Sequence, residues 1–211
     1  VESFSTVIGN MVHFVLEKCL FNNSLDTDKY VLEFLGDREF SKKEKFFLEK
    51  YKEGIRELLN QILLEKEYSL FNQALYEKKI EIMIDNNVEF VGIIDKILYY
   101  TFNNKTYIAI IDYKTGNEDI SLKYLDDGIN IQLPVYLYLS KFLPFDNMVH
   151  VGFYLQKFNI NDKDYRLIGY SNSDKDILSI IDNNYDNSKI IKGLKTLKDG
   201  SFSKNSKVLN N

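Results

Sequence analysis

The stretch Gly92-Ile93-Ile94-Asp95, followed by Ile110-Ile111-Asp112-Tyr113-Lys114-Thr115-Gly116, decides the fold prediction for this chain of 211 residues. Each segment is an apolar run that delivers an aspartate at or near its end, as a buried strand would. Residues two apart on a strand point to the same face, so Asp112 and Lys114 should project together, with Asp95 brought alongside by strand pairing. Two carboxylates and an amine at a sheet edge predict metal-assisted phosphodiester hydrolysis, in which the amine orients or deprotonates the attacking water. A surface salt bridge at the end of a hairpin is the alternative interpretation.

Hydrophobic spacing and turn residues predict the order helix, helix, three strands, helix, two strands and helix. The helices are expected at about 8–22, 42–67, 130–142 and 174–198, and the strands at about 79–84, 88–99, 106–113, 149–157 and 165–170. The first three strands follow one another through the turns Asp85-Asn86-Asn87 and Asn103-Asn104-Lys105, so they should form a meander. The predicted fold class is therefore mixed α/β, or α+β.

Composition and charge indicate a folded globular protein and argue against several other classes of protein. A hydrophobic fraction of 45% with 15 Phe and 15 Tyr is typical of a folded globular chain. The net charge of −4 argues against broad, nonspecific coating of nucleic acid but leaves room for a local basic groove. The sequence has no apolar run long enough to cross a membrane, and it opens with Val1-Glu2-Ser3, without a charged leader or an initiator Met, which suggests a segment of a longer protein.

The single cysteine, Cys19, lies on the apolar face of the first predicted helix and is interpreted as a packing residue. One cysteine rules out an intramolecular disulfide framework and fits a reducing, cytoplasmic setting.

Four motifs follow one another along the chain. They are Gly-x-x-x-His-x-x-Leu-Glu at 9–17, Gly-Ile-Ile-Asp-Lys at 92–96, Asp-x-Lys-Thr-Gly at 112–116 and Gln-x-x-x-Tyr at 132–136. In this order and spacing they resemble the PD-(D/E)xK nuclease superfamily, and more specifically the RecB/AddB-type nuclease domain of helicase–nucleases.

The resemblance implies a restriction-endonuclease-like core, in which helices flank a central mixed β-sheet, with an extra N-terminal helical region. The whole chain, 1–211, would be one nuclease domain excised from a longer protein, with a helical part at about 1–76 and a catalytic core at about 77–198. The implied activity is metal-dependent DNA hydrolysis, more that of an exonuclease than of an endonuclease, in double-strand-break repair and recombination. The implied partners are DNA, single-stranded at the active site, and a helicase domain or subunit.

The resemblance also implies roles for the motif residues. Asp95, Asp112 and Lys114 would be catalytic, and His13, Asp95, Asp112 and the backbone carbonyl of Tyr113 would hold Mg²⁺ or Mn²⁺. An imidazole is a more usual ligand for Mn²⁺ than for Mg²⁺, which prefers oxygen. The alternative for His13 is a helix histidine bonded to a backbone carbonyl.

The remaining polar candidates have weaker assignments. Gln132 and Tyr136 share one helical face and would contact the scissile phosphate, the lysine or the water around the metal, although Tyr136 could be plain core. Glu17 is one helical turn from His13 and would orient it, or else it is an ordinary exposed glutamate. Glu77, placed before the first strand, stands where the family often carries a glutamate and receives no firm role.

Three further observations concern the chain's second half. His150 matches no motif and is interpreted as structural. The C-terminal segment, which includes the end of the final helix, carries a stripe of lysines that either faces a DNA backbone or is simply solvated. These lysines are Lys189, Lys192, Lys195, Lys198, Lys204 and Lys207. Gly200-Ser201-Phe202 resembles the segment that precedes an iron–sulfur cysteine cluster in many relatives, but the cysteines in this chain cannot form such a cluster.

Two alternatives to the nuclease of a helicase complex remain open. One is a non-catalytic DNA-binding scaffold module that retains the fold, which the presence of Asp95, Asp112 and Lys114 disfavours. The other is a stand-alone nuclease of defence or CRISPR adaptation. The sequence contains no Gly-x-x-x-x-Gly-Lys-Ser/Thr motif, so any use of ATP would come from another region or subunit.

Overall fold

Helices form the first part of the chain and a sheet with two further helices follows in the computed structural model, which describes residues 2–85, 88–115, 132–193 and 195–196. The helices are α1 (Phe4–Phe21), α2 (Thr27–Leu35), α3 (Lys42–Tyr68), α4 (Gln132–Ser140) and α5 (Lys175–Ile181). The strands are β1 (Gln73–Asp85), β2 (Val88–Phe102), β3 (Lys105–Lys114), β4 (Met148–Lys157), β5 (Leu167–Ser171) and β6 (Lys195–Thr196). Among the described helices, none combines the length and the apolar character that a membrane span requires.

The sheet has the strand order β1-β2-β3-β4-β5-β6. The first three strands are antiparallel neighbours, which confirms the predicted meander, and β4 then pairs parallel to β3 through the connection that contains α4. β5 pairs antiparallel to β4, and β6 pairs parallel to β5. A mixed sheet flanked by helices confirms the predicted fold class.

Side-chain alternation along β3 divides the core into two layers. Ala109, Ile111 and Tyr113 face the core formed with α1 and α3, whereas Ile108 and Ile110 face the layer that packs against α4. Gly92 of β2 permits the close packing of α4, because a methyl group at this position would overlap with the side chain of Leu139. The motif glycine is therefore explained by the approach of a helix to the sheet.

The predicted boundaries hold at α3, whereas α1 begins at Phe4, before the predicted start at about residue 8, and the short helix α2 was not predicted. Ser3 caps α1 by accepting a hydrogen bond from the Thr6 amide, and Ser41 with Glu44 forms a capping box at the start of α3. Cys19 is buried in α1, in agreement with its interpretation as a packing residue. Pro134 is the third residue of α4 and thus lies in the first turn, where proline is tolerated.

The prediction of a last helix over 174–198 is wrong, because α5 ends at Ile181 and a 3₁₀ turn follows at Tyr185–Asn187. Local side-chain hydrogen bonds compete with the helix here. The backbone amide of Asn184 donates a hydrogen bond of 2.9 Å to the Asp182 carboxylate, and the backbone amide of Ile191 donates one of 2.7 Å to the Ser188 hydroxyl.

The lysines of the predicted stripe that the structure describes consequently do not lie on a helix. Lys189 lies over the ring of Tyr68, and Lys192 Nζ is 3.1 Å from an Asp164 carboxylate oxygen. The side chain of Lys195 and all of 198, 204 and 207 lie outside the described residues, as does the Gly-Ser-Phe segment at 200–202.

Candidate active site

Three acidic residues lie in one row across β1, β2 and β3. β1 and β2 pair on both sides of Glu77, which places Glu77 opposite Asp95. The pairing of β2 with β3 stops with Lys96 opposite Ile111, so Asp95 and Asp112 face each other directly beyond the end of the ladder. Residues opposite each other on neighbouring strands share a face, and the three carboxylates therefore converge.

Helix α1 adds an imidazole to this row. His13 Nδ1 lies 3.5 Å from Glu77 Oε1 and 3.7 Å from Asp95 Oδ2. Gly9, one helical turn earlier, lets α1 approach the end of β3, because a Cβ on Gly9 would be only 3.2 Å from Thr115 Oγ1. The Gly-x-x-x-His motif and the Asp-x-Lys-Thr-Gly motif therefore pack directly against each other.

Tyr113 contacts both His13 and Asp95. Its backbone amide donates a hydrogen bond of 2.8 Å to Asp95 Oδ2, and its buried ring meets the His13 ring edge-on at a centroid distance of 5.8 Å. These contacts fix the orientation of two candidate ligands. The ligand role of the Tyr113 backbone carbonyl stays a prediction.

Asp112 and Lys114 lie together, two residues apart on β3. Lys114 Nζ is 2.9 Å from Asp112 Oδ2, and the side chains are 19% and 1% exposed, respectively. The buried carboxylate therefore anchors an amine that still reaches the surface of the site. This placement is compatible with an amine that acts on a water molecule beside the carboxylates.

The electrostatics indicate a site crowded with negative charge. Burial, together with the charge of Asp112, raises the pKa of Asp95 to about 7 against the opposing effect of His13. Burial likewise raises the pKa of Asp112, although Lys114 opposes this shift. For His13, burial disfavours the charged imidazolium, but the hydrogen bond to Glu77 and the charge of Asp95 outweigh burial and raise its pKa.

These residues fit a divalent cation. Ligand atoms of His13, Glu77 and Asp95 all lie within 4.8 Å of one another, and the Asp112 carboxylate adjoins them. A cation would relieve the repulsion among the buried carboxylates. One imidazole nitrogen with carboxylate oxygens suits Mn²⁺ and Mg²⁺.

Glu77 is the site residue that sequence reasoning did not assign. Its prediction as a residue before the first strand is wrong, because β1 begins at Gln73 and Glu77 lies inside it. The backbone of Glu77 has φ 45°, a left-handed conformation that is uncommon outside glycine. The polar run Glu77-Lys78-Lys79 does not look like a strand, so the early part of β1 was not predicted. The glutamate that relatives often carry at this place was the one signal that pointed to Glu77 as a site residue.

The other candidates have different surroundings. Glu17 lines the same cavity as His13, but within the described part of the chain no hydrogen bond joins the two. Tyr136 is buried against the sheet with Leu137 and Leu139, as the core alternative predicts. The side chain of residue 132 and all of residue 116 lie outside the described residues.

The contacts of His150 differ from those of the site residues. Its Nε2 lies 2.9 Å from the Ser140 hydroxyl, and burial lowers its pKa to about 4. A neutral, hydrogen-bonded imidazole between α4 and β4 agrees with the structural interpretation.

The order of these motifs has a counterpart among known families. The model of the PD-(D/E)XK nuclease superfamily matches residues 1–176. The chain belongs to this superfamily. Members of the superfamily generally use divalent metals, in agreement with the arrangement of His13, Glu77 and Asp95.

Several curated relatives are named as a subunit of an ATP-dependent helicase/deoxyribonuclease. The protein from Carboxydothermus hydrogenoformans is 36% identical over 132 residues, which cover 52% of this chain and 12% of that relative. Those from Clostridioides difficile and Clostridium novyi are 40% identical over 60 residues and 39% identical over 59 residues, each covering 28% of this chain and 5% of the relative. The chain thus spans only a small part of the length of these relatives.

Replacing His13 with alanine is expected to weaken Mn²⁺ binding by at least about tenfold while the chain stays folded, because one ligand is lost from a partly exposed position. Isothermal titration with Mn²⁺ and thermal melting of the same samples would measure both effects. Glu17→Gln is the matched control, since Glu17 lines the same cavity without bonding to the imidazole. Unchanged Mn²⁺ affinity in His13→Ala would contradict the ligand assignment.

Proposed function

We propose that this chain is a metal-dependent deoxyribonuclease domain. The observation that carries the proposal is the convergence of His13, Glu77 and Asp95 around one point, with Asp112 next to Asp95 and the Lys114 amine beside Asp112. Membership of a nuclease superfamily supports the same activity. A structural ion-pair cluster would not need three carboxylates in one row, two of which, Asp95 and Asp112, have pKa values that burial raises.

We assign the site residues different roles in hydrolysis, namely metal binding and activation of water. Asp95, Asp112 and His13, with the Tyr113 carbonyl, would hold Mg²⁺ or Mn²⁺, and Glu77 adds a fourth side chain within reach. When bound, the cation supplies Lewis-acid stabilisation of the charge that develops on the phosphate. Lys114 orients a water molecule for in-line attack on phosphorus and accepts or shares its proton. Gln132 and Tyr136 are proposed to assist from α4, by contacts with the phosphate or the lysine.

The names of the relatives support a wider context. A helicase/deoxyribonuclease subunit suggests that a helicase domain or subunit delivers DNA to this site. We therefore propose an exonuclease acting on DNA in double-strand-break repair, with a single strand at the active site. A non-catalytic scaffold is the competing function, and intact Asp95, Asp112 and Lys114 disfavour it.

Cleavage of end-labelled single-stranded DNA with Mg²⁺, Mn²⁺ or EDTA tests the proposal. The wild-type chain should cleave with either metal and not with EDTA, and Asp112→Ala should lose the metal-dependent products because the carboxylate that β3 contributes to the row is gone. The spacing of products from one labelled end would separate exonuclease from endonuclease action. Binding of DNA without cleavage, under every metal condition, would favour the scaffold function.

A further inference from the structure

A cavity of about 560 Å³ opens directly beside the proposed catalytic residues. It is lined by Asn10, His13, Phe14 and Glu17 of α1, by Phe34 of α2 and by Glu77 of β1. The volume is in the range of small-molecule and nucleotide sites. A group held in this cavity would therefore touch the same imidazole and carboxylate that face the reacting phosphate.

Two aromatic rings, those of Phe14 and Phe34, form part of the wall of this cavity. Phe14 and Phe34 are half-buried, and their ring centroids are 5.5 Å apart at an interplanar angle of 47°. A pair of phenyl rings that remains open to a cavity offers apolar stacking surface, whereas ring pairs inside a core are covered on all sides. The wall thus suits a flat, apolar ligand surface.

Two cations lie over these rings, although neither is among the residues that line the cavity. Lys18 Nζ is 5.4 Å from the centroid of Phe14, and the Arg38 guanidinium carbon is 4.9 Å from the centroid of Phe34. Arg38 also donates a hydrogen bond of 3.0 Å to the Phe34 carbonyl, which ties the guanidinium to the wall. Positive charge therefore stands beside an aromatic surface, a combination that proteins use to bind single-stranded nucleic acid.

We propose that this cavity binds one base of a single-stranded DNA, next to the bond that is cut. The base stacks on Phe14 and Phe34, and Lys18 and Arg38 contact the neighbouring phosphates. The inference rests on the proposed nuclease function and deepens it by naming the residues that would hold one base of the substrate. A base in a duplex is already stacked between its neighbours, so only an unpaired strand can place one in the cavity.

The test uses the chain with Lys114→Met, so that DNA is bound but cut slowly, and short oligonucleotides that each carry one 2-aminopurine. Stacking on an aromatic ring changes 2-aminopurine fluorescence, and anisotropy gives the affinity in the same titration. Phe34→Leu should weaken binding by about tenfold and abolish the fluorescence change at one position of the strand. Phe34→Tyr keeps the ring and should retain both.

Phe46→Leu is the matched control, because Phe46 is 61% exposed on α3 and has Lys50 over its ring at 4.9 Å, but does not line this cavity. It should bind DNA as the parent does. A Phe34→Leu variant that melts normally and keeps the affinity and fluorescence change of the parent would overturn the proposal. A fully paired hairpin that competes as well as a single strand would overturn it too.

The outcome is separable from that of the nuclease proposal. Cleavage by the wild type together with unaltered stacking in Phe34→Leu would reject the base site alone. Stacking that depends on Phe34, in a chain that no metal makes active, would reject the nuclease and leave the base site standing.

Discussion

Replacing Lys114 with methionine is expected to slow DNA cleavage by about 10²- to 10⁴-fold while leaving metal and DNA binding in place. Methionine keeps an unbranched, apolar side chain but removes the amine that lies 2.9 Å from Asp112 Oδ2. The reaction then loses the group that orients the attacking water, whereas the metal ligands remain. Single-turnover cleavage rates in Mg²⁺ and Mn²⁺, with affinities from anisotropy, separate the rate from binding.

Lys105→Met is the matched control for this substitution. Lys105 is the first residue of β3 and is exposed at the opposite end of the same strand, so its loss removes equal charge far from the carboxylates. Its cleavage rate should stay within a few-fold of the wild type. A Lys114→Met enzyme with a normal rate would remove the assigned role, and one with weak DNA binding would make Lys114 a phosphate anchor instead.

The part of the site carried by β2 and β3 was predictable from local sequence. Alternation places Asp112 and Lys114 on one face, and the two asparagines between the strands adopt left-handed conformations that close the hairpin, with φ 48° at Asn103 and 58° at Asn104. Once the hairpin is fixed, its register determines that Asp95 and Asp112 face each other. Turn chemistry and a period of two residues were sufficient for this result.

The parts that sequence reasoning missed depend on contacts between distant segments. Helix α2 has only a short apolar face. Its proposed role depends on Phe34, whose ring contacts the Phe14 ring of α1. The role of Glu77 depends on the register of β1 against β2, which a polar start to the strand conceals. The prediction of the last helix was wrong because of local contacts. Hydrophobic spacing favoured a continuous helix, but the side chains of Asp182 and Ser188 accept hydrogen bonds from nearby backbone amides and end it.

Some motif residues also proved to have packing roles that no local pattern specifies. Lys96 follows Asp95 in the second motif, yet its side chain is only 2% exposed and lies in the helix-facing part of the core. There the Glu65 carboxylate accepts a 2.6 Å hydrogen bond from Gln156, which also donates to the Tyr165 carbonyl over 3.0 Å. Burial raises the pKa of Glu65 to about 7, against the opposing charge of Lys96.

Replacing Glu65 with glutamine is therefore expected to change how stability depends on pH. Glu65 has an ordinary pKa of 4.5 when unfolded and a folded-state pKa of about 7, so between these values the folded chain retains a proton that the unfolded chain has released. The stabilisation from this proton is complete below about pH 4.5 and is lost as pH rises through about 7. The loss amounts to roughly 3 kcal/mol at most, from 1.36 kcal/mol for each unit of pKa. Glutamine does not titrate, and the variant should lack this decline.

Urea unfolding at several pH values between about 4.5 and 7.5 measures the effect as the free energy of unfolding of the wild type minus that of Glu65→Gln. This difference should fall steadily across the window, because only the wild type loses the bound proton. Glu67→Gln is the matched control, since Glu67 is exposed in the last turn of the same helix and its carboxylate stays in water on folding. Parallel pH curves for wild type and Glu65→Gln would mean that Glu65 is charged in the folded chain throughout, and that Lys96 compensates fully for its burial.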